Sequence, residues 1–154
     1  MNDKRIEDTP MTLLDDALSG ESMLEFAQET NEISITVRPE FLAHASNEAE
    51  GQFAWAYHIL IENCSQDSVR LRARYWRITD AQGRVQEVKG PGVLGLQPVI
   101  APGEVFSYSS SVPLDAPSGL MHGHYLMERD DGGSFVAEIP AFSLDSPTQA
   151  HRAN

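Results

Sequence analysis

From Ile33 onward, apolar residues recur at every second position. Ile33, Ile35 and Val37 alternate with polar residues as far as Pro39, and Phe53, Trp55, Tyr57, Ile59 and Ile61 alternate with Ala54, Ala56, His58 and Leu60. A period of two sends successive side chains to opposite faces of a strand. The second run is apolar on both faces near its centre, which predicts an interior strand. Val69, Leu71, Ala73 and Tyr75 continue the alternation against Arg70, Arg72 and Arg74, before Trp76 and Ile78 reverse its parity. A bulge near Arg74 to Trp76 accounts for the reversal. Further strands are expected at 84–88, 105–111, 123–129 and 135–142, set apart by the turn signals Asp80-Ala81-Gln82-Gly83, Ala101-Pro102-Gly103, Pro117-Ser118-Gly119 and Asp131-Gly132-Gly133. Seven short strands with no helix between them predict an all-β fold, a Greek-key sandwich of the fibronectin type III or immunoglobulin-like kind. The immunoglobulin cysteine pair is absent, which favours the fibronectin-like form.

The first 30 residues follow a different rhythm. Met11, Leu14 and Leu18 have helical spacing behind Thr9 as a cap and Pro10 at the first helical position, and Gly20 ends that run. Ser22 and Glu25 then have capping-box spacing ahead of Met23, Leu24 and Phe26. The expected organisation is an acidic extension over 1–30, helical for two short turns or disordered, then one domain over 31–145 and a tail over 146–154. Residues 1–32 hold nine acids and two bases, a balance of −7, which leaves fourteen acids and nine bases, or −5, for the remainder.

That acidity narrows the partners. A net charge of −12 on 154 residues is unsuited to nucleic acid, whose phosphates need a basic face. No apolar run approaches the roughly 20 residues of a membrane-spanning helix, so no membrane insertion is expected. The opening residues Met1 to Pro10 lack the apolar stretch of a secretory signal, and a sandwich with one cysteine, Cys64, suits a reducing compartment; a cytoplasmic location is the expectation. Asn63-Cys64-Ser65 matches the glycan-acceptor pattern, which has no use without export.

From Tyr75-Trp76-Arg77-Ile78-Thr79-Asp80 and Gly83-Arg84-Val85 onward the chain resembles the ApaG family of bacterial proteins. The likeness continues through Gly90-Pro91-Gly92-Val93-Leu94-Gly95-Leu96-Gln97-Pro98, Ala101-Pro102-Gly103-Glu104, Pro113-Leu114-Asp115-Ala116-Pro117-Ser118-Gly119 and Gly123-His124-Tyr125, and closes at Ile139-Pro140-Ala141-Phe142-Ser143-Leu144. It spans about 33–144. The resemblance implies a fibronectin-like sandwich and a link to cobalt tolerance and magnesium efflux, with no agreed biochemical mechanism. Related domains sit within eukaryotic F-box proteins and a polymerase-interacting protein, which implies protein binding. Where the family usually has Ser-Arg-His-Trp this chain has Ala73-Arg74-Tyr75-Trp76, so no role of that histidine carries over.

Three constellations could carry chemistry. Gly90, Gly92 and Gly95 fit G-x-G-x-x-G, a spacing that elsewhere lets backbone amides cradle a pyrophosphate at a helix N-terminus. Pro98 and Pro102 forbid the following helix and Pro91 removes one amide, so a glycine turn between strands is the plainer reading. Arg70, Arg72 and Arg74 fall on one face of an unbroken strand, either as an anion site or as a solvated face paired with acids such as Glu62, Glu87 or Glu138. His122 and His124 face the same way if Gly123 does not bulge, but two ligands do not complete a metal site, and Asp130-Asp131 falls in a turn where acids are common. No nucleophile with a base, carboxylate pair or closed metal set has recognisable local spacing. The expectation is therefore a non-enzymatic binding protein, monomeric or homodimeric, with no cofactor and an unidentified protein partner. A sensor of a phosphorylated or dinucleotide small molecule, using the glycine loop and the arginine strand, is one alternative; direct divalent-metal binding is another.

Overall fold

The computed structural model describes residues 24–147. The helical turns expected before Met23 and the tail beyond Pro147 lie outside the described residues. Nine strands follow one another: β1 (Phe26–Thr30), β2 (Ile33–Phe41), β3 (Phe53–Asn63), β4 (Val69–Asp80), β5 (Val85–Pro91), β6 (Val99–Ile100), β7 (Val105–Leu114), β8 (Ser118–Arg129) and β9 (Ser134–Asp145). All seven expected strands are present, with β1 and the two-residue β6 in addition. Single 3-10 turns lie at Ala43–Ala45 and Glu48–Glu50, between β2 and β3.

The strands form two antiparallel sheets, one in the order β1-β2-β3-β7 and the other β9-β8-β4-β5, with β6 also paired to β4. The chain crosses between sheets at β3 to β4, β6 to β7 and β7 to β8, so neither sheet forms from consecutive strands alone. Their facing sides make the core. Alternation on β3 places Phe53, Trp55, Tyr57, Ile59 and Ile61 inward, and across from them lie Trp76, Ile78, Met121, Tyr125, Met127 and Phe142. Trp76 meets Tyr57 edge-on at 5.1 Å and Phe142 at 6.0 Å, and each such buried ring contributes about 2–3 kcal/mol through the water it sheds.

Two expectations need correction. Residues 26–30, assigned to the extension, pair with 33–37 as β1. Phe26 reaches the core against Phe142 at 6.3 Å, and a two-strand ribbon edge outweighs local helix propensity wherever it buries an aromatic ring. The bulge on β4 lies between Leu71 and Ala73 rather than at 74–76, because Leu71 pairs with Met127 whereas Ala73 pairs with Leu126. Arg72 is the extra residue, and every position after it changes face.

Candidate functional site

The bulge decides which side chains share a surface. Before it, Val69 and Leu71 point inward and Arg70 and Arg72 are exposed; after it, Trp76 and Ile78 are the inward residues. Arg74 shares their parity, so it leaves the face of Arg70 and Arg72 and turns toward the interior. The arginine triplet expected on one face is split by the bulge.

Each of the three arginines already has a carbonyl or acid to serve. The Arg74 guanidinium lies over Gly90, where a Cβ would come within 3.0 Å of it, and Nη1 donates to the carbonyls of Pro91 at 3.3 Å and Gly92 at 3.0 Å. Arg70 Nη1 donates to the Gln97 carbonyl at 3.2 Å, and Arg72 Nε stands 3.6 Å from Glu128. Arg77 Nη1 stands 3.8 Å from Glu87, one of the acids expected to pair with this strand.

The glycine loop is a small hairpin fastened to β4. Val93 and Leu96 exchange backbone hydrogen bonds of 2.8 Å around Leu94 and Gly95, both in the left-handed region at φ 51° and 77°. Gly92 (φ 58°) donates to the Arg72 carbonyl, and a Cβ on it would sit 1.8 Å from the Leu96 carbonyl oxygen, so only glycine fits. Amides of Gly92, Val93 and Leu96 are thus committed to carbonyls, and what the loop turns toward Arg74 is carbonyl oxygen. Gly90, Gly92 and Gly95 shape a turn here.

The parity change also assembles a surface that the spacing of residues does not announce. On the outer side of the β9-β8-β4-β5 sheet, register aligns Tyr75 with His124 and Ala73 with Leu126. On the neighbouring strand Leu126 pairs with Val136. The Tyr75 and His124 rings stack at 5.0 Å and 25°, and Tyr75 donates from its hydroxyl to Glu87 at 2.5 Å. That hydrogen bond, then partial desolvation, pushes the Tyr75 hydroxyl above its ordinary range. Leu126 and Val136 remain 38% and 40% exposed, a poor place for apolar side chains unless something covers them. These side chains, with Lys89 and Gly90 at the rim, line a shallow depression of about 560 Å³.

Charge favours the same sheet. Of the eight described arginines and lysines, seven sit on or beside β9-β8-β4-β5 and one, Arg38, on the other sheet. Lys89 is in the lining of the depression, whereas Arg72 and Arg77 on β4 face Glu128 and Glu87, so this sheet carries charges of both signs in a molecule that is acidic as a whole. His122 and His124 do face outward together, since the register runs unbroken through Gly123. Among the described residues no three His, Cys, Asp or Glu side chains stand close enough to hold a metal ion. Asp131 instead accepts the Gly133 amide at 2.8 Å and faces Arg129 at 3.8 Å, a turn-closing role.

In the sequence Tyr75 reads as the end of the apolar run Val69, Leu71 and Ala73, and Leu126 and Val136 as ordinary strand residues, so nothing marks the three as a site. Only the pairing register brings them together.

The comparisons with known proteins match this frame. The family model described as ApaG domain matches residues 43–129. The protein ApaG of Rhodospirillum centenum is 54% identical over 129 residues, covering 84% of this chain and 99% of the relative. That of Parvibaculum lavamentivorans is 53% identical over 122 residues, covering 79% and 94%. Among solved structures, a Bordetella pertussis protein crystallised under the name ApaA superposes with a TM-score of 0.73 at 38% identity, over 75% of this chain and 94% of that one. With a matching family model, relatives above half identity and the same sandwich, the chain belongs to the ApaG family.

Proposed function

We propose that this chain is a non-enzymatic protein-binding module, and that the outer face of the β9-β8-β4-β5 sheet receives its partner. The observation that carries the reading is the depression at Tyr75, His124, Leu126 and Val136, apolar at its floor and with Lys89 in its lining. An interface needs an apolar centre that sheds water and a polar rim that sets orientation. Lys89 beside that apolar floor fits a partner segment that combines an acidic side chain with apolar ones. The link to cobalt and magnesium homeostasis enters through family resemblance, and a regulator that docks on another protein fulfils that role without holding a metal itself.

The test couples binding to phenotype. Leu126→Arg places a charge in the depression while leaving the core untouched, and Thr36→Arg makes a matched change on the opposite sheet. A partner captured by the native chain at moderate salt should be lost with Leu126→Arg and kept with Thr36→Arg. Cells that depend on this gene for growth in raised cobalt should follow the same order. Equal capture and equal growth with both variants would refute this face as the binding site.

A further inference from the structure

Three strands of the other sheet bring together a serine, a histidine and a carboxylate that lie far apart in the sequence. On the outer side of β1-β2-β3-β7, His58 stands at the centre of β3, paired in register with Arg38 on β2 and Ser109 on β7. His58 Nε2 is 2.9 Å from Glu40 Oε1, and His58 Nδ1 is 2.6 Å from Ser109 Oγ. The chemistry of the groups sets the proton. A carboxylate only accepts, so Nε2 of the neutral ring carries the hydrogen, and Nδ1 is left with its lone pair aimed at the serine hydroxyl. Ser109 therefore donates to a base that is itself oriented by a carboxylate, the arrangement that raises the nucleophilicity of a hydroxyl. The His58 side chain is only 11% exposed while Ser109 is open to solvent, so the base is sheltered and the nucleophile accessible.

We infer that Ser109 is a modification site, an activated hydroxyl that accepts an acyl group from an activated donor of the acyl phosphate class. The donor class follows from the setting. Strand amides lie in the plane of the sheet, perpendicular to the side chains, and the face is open, so nothing encloses a reluctant ester or protonates a poor leaving group. An acyl phosphate brings its own leaving group. Ser109 Oγ bonds to the acyl carbon while the bond from that carbon to the phosphate oxygen breaks. Phosphate departs with the electron pair, and the hydroxyl proton passes to His58 Nδ1 and then to water. The product is an O-acylserine on an otherwise unchanged chain, with Glu40 as a positioning residue.

The strand carries its own control. Ser111 lies on the same outer face of β7 and is also exposed, but it pairs with Ala56 rather than with a histidine. The full chain is incubated with acetyl phosphate and acetylation is mapped to single residues by peptide mass spectrometry. Ser109 should acetylate at least about 100-fold faster than Ser111, the contribution of one positioned general base. His58→Gln should reduce it to the Ser111 rate at an unchanged melting temperature. In Glu40→Gln the 15N shifts of the His58 ring should lose the signature of the Nε2–H tautomer as the rate falls. Equal rates at Ser109 and Ser111, or a rate indifferent to His58, would overturn the assignment. If His58→Gln melts below the assay temperature, the ratio of Ser109 to Ser111 in the native chain decides by itself.

Discussion

At the scale of single residues, Asn63 shows how much structure one polar side chain can organise. It is fully buried, donating through Nδ2 to the carbonyls of Asp67 at 2.8 Å and Ile100 at 2.9 Å, and its Oδ1 accepts the amide and hydroxyl of Ser65. Its backbone joins Glu104 and Gly103, so the turn after β3 and the loop before β7 are tied at one point. Asn63→Ala should cost about 2–4 kcal/mol, since it orphans several buried groups at once, and urea denaturation will measure it. The same burial removes Asn63 as a glycan acceptor. Its neighbour Cys64 is exposed, yet partial desolvation, then the charges of Glu62, Glu29 and Glu32, hold the thiol above its ordinary range. Alkylation of Cys64 should therefore become fast at a higher pH than for an unperturbed cysteine, with the rate followed by intact mass. Asp80 moves the other way. Partial desolvation alone would raise its carboxyl, but amides of Arg84 and Gln82 and the Arg84 side chain outweigh it. A depressed folded value means stability that is present above the unfolded value near pH 4 and lost as pH falls through the folded one. Acid unfolding of Asp80→Asn should accordingly be shallower than that of the native chain.

At the scale of elements, β4 is the strand on which the site depends. Its alternation is visible in the sequence, and so is the need for a parity change before Trp76. The exact bulge is not visible, because the parity change can fall at any position between the apolar Leu71 and Trp76, a stretch in which no residue demands burial. Pairing with Met127 and Leu126 resolves the choice at Arg72, and that shift sends Arg74 inward and Ala73 and Tyr75 outward. Arg74 then braces the glycine hairpin through two carbonyls. Arg74→Ala should destabilise by about 1.5–3 kcal/mol, the range for a hydrogen bond from a charged donor, and should loosen residues 90–96 in hydrogen exchange. Gly92→Ala is expected to be worse than Arg74→Ala in thermal denaturation, because its Cβ would meet backbone rather than a side chain that can swing away. A site formed by the glycines and arginines as an anion cradle would predict the reverse pattern, with lost ligand binding and intact stability.

At the scale of the whole molecule, the two sheets enclose a polar pair in an apolar core. The hydroxyls of Tyr108 on β7 and Tyr125 on β8 meet at 2.5 Å across the sandwich. Burial, the leading cause for both, raises both phenols well above the ordinary tyrosine range. Raised folded values mean stability present in full below the unfolded value of about 10 and lost as pH climbs toward the folded ones. Ultraviolet titration should thus show these two phenols ionising only as the sandwich unfolds in alkali, and Tyr125→Phe should move that transition. Several features of the whole are legible in the sequence: alternation marks seven strands, glycine and proline mark their ends, and the family motifs agree with the class of sandwich. These are local signals, since period two and turn chemistry act over a few neighbouring residues. What the tertiary structure alone decided is which residues meet. Tyr75 with His124 and Leu126 with Val136 lie on strands far apart in the chain, as do Glu40, His58 and Ser109. Their meeting depends on pairing register and on one bulge, and register is set by burial of the opposite face across the whole sheet, which no local stretch of sequence contains.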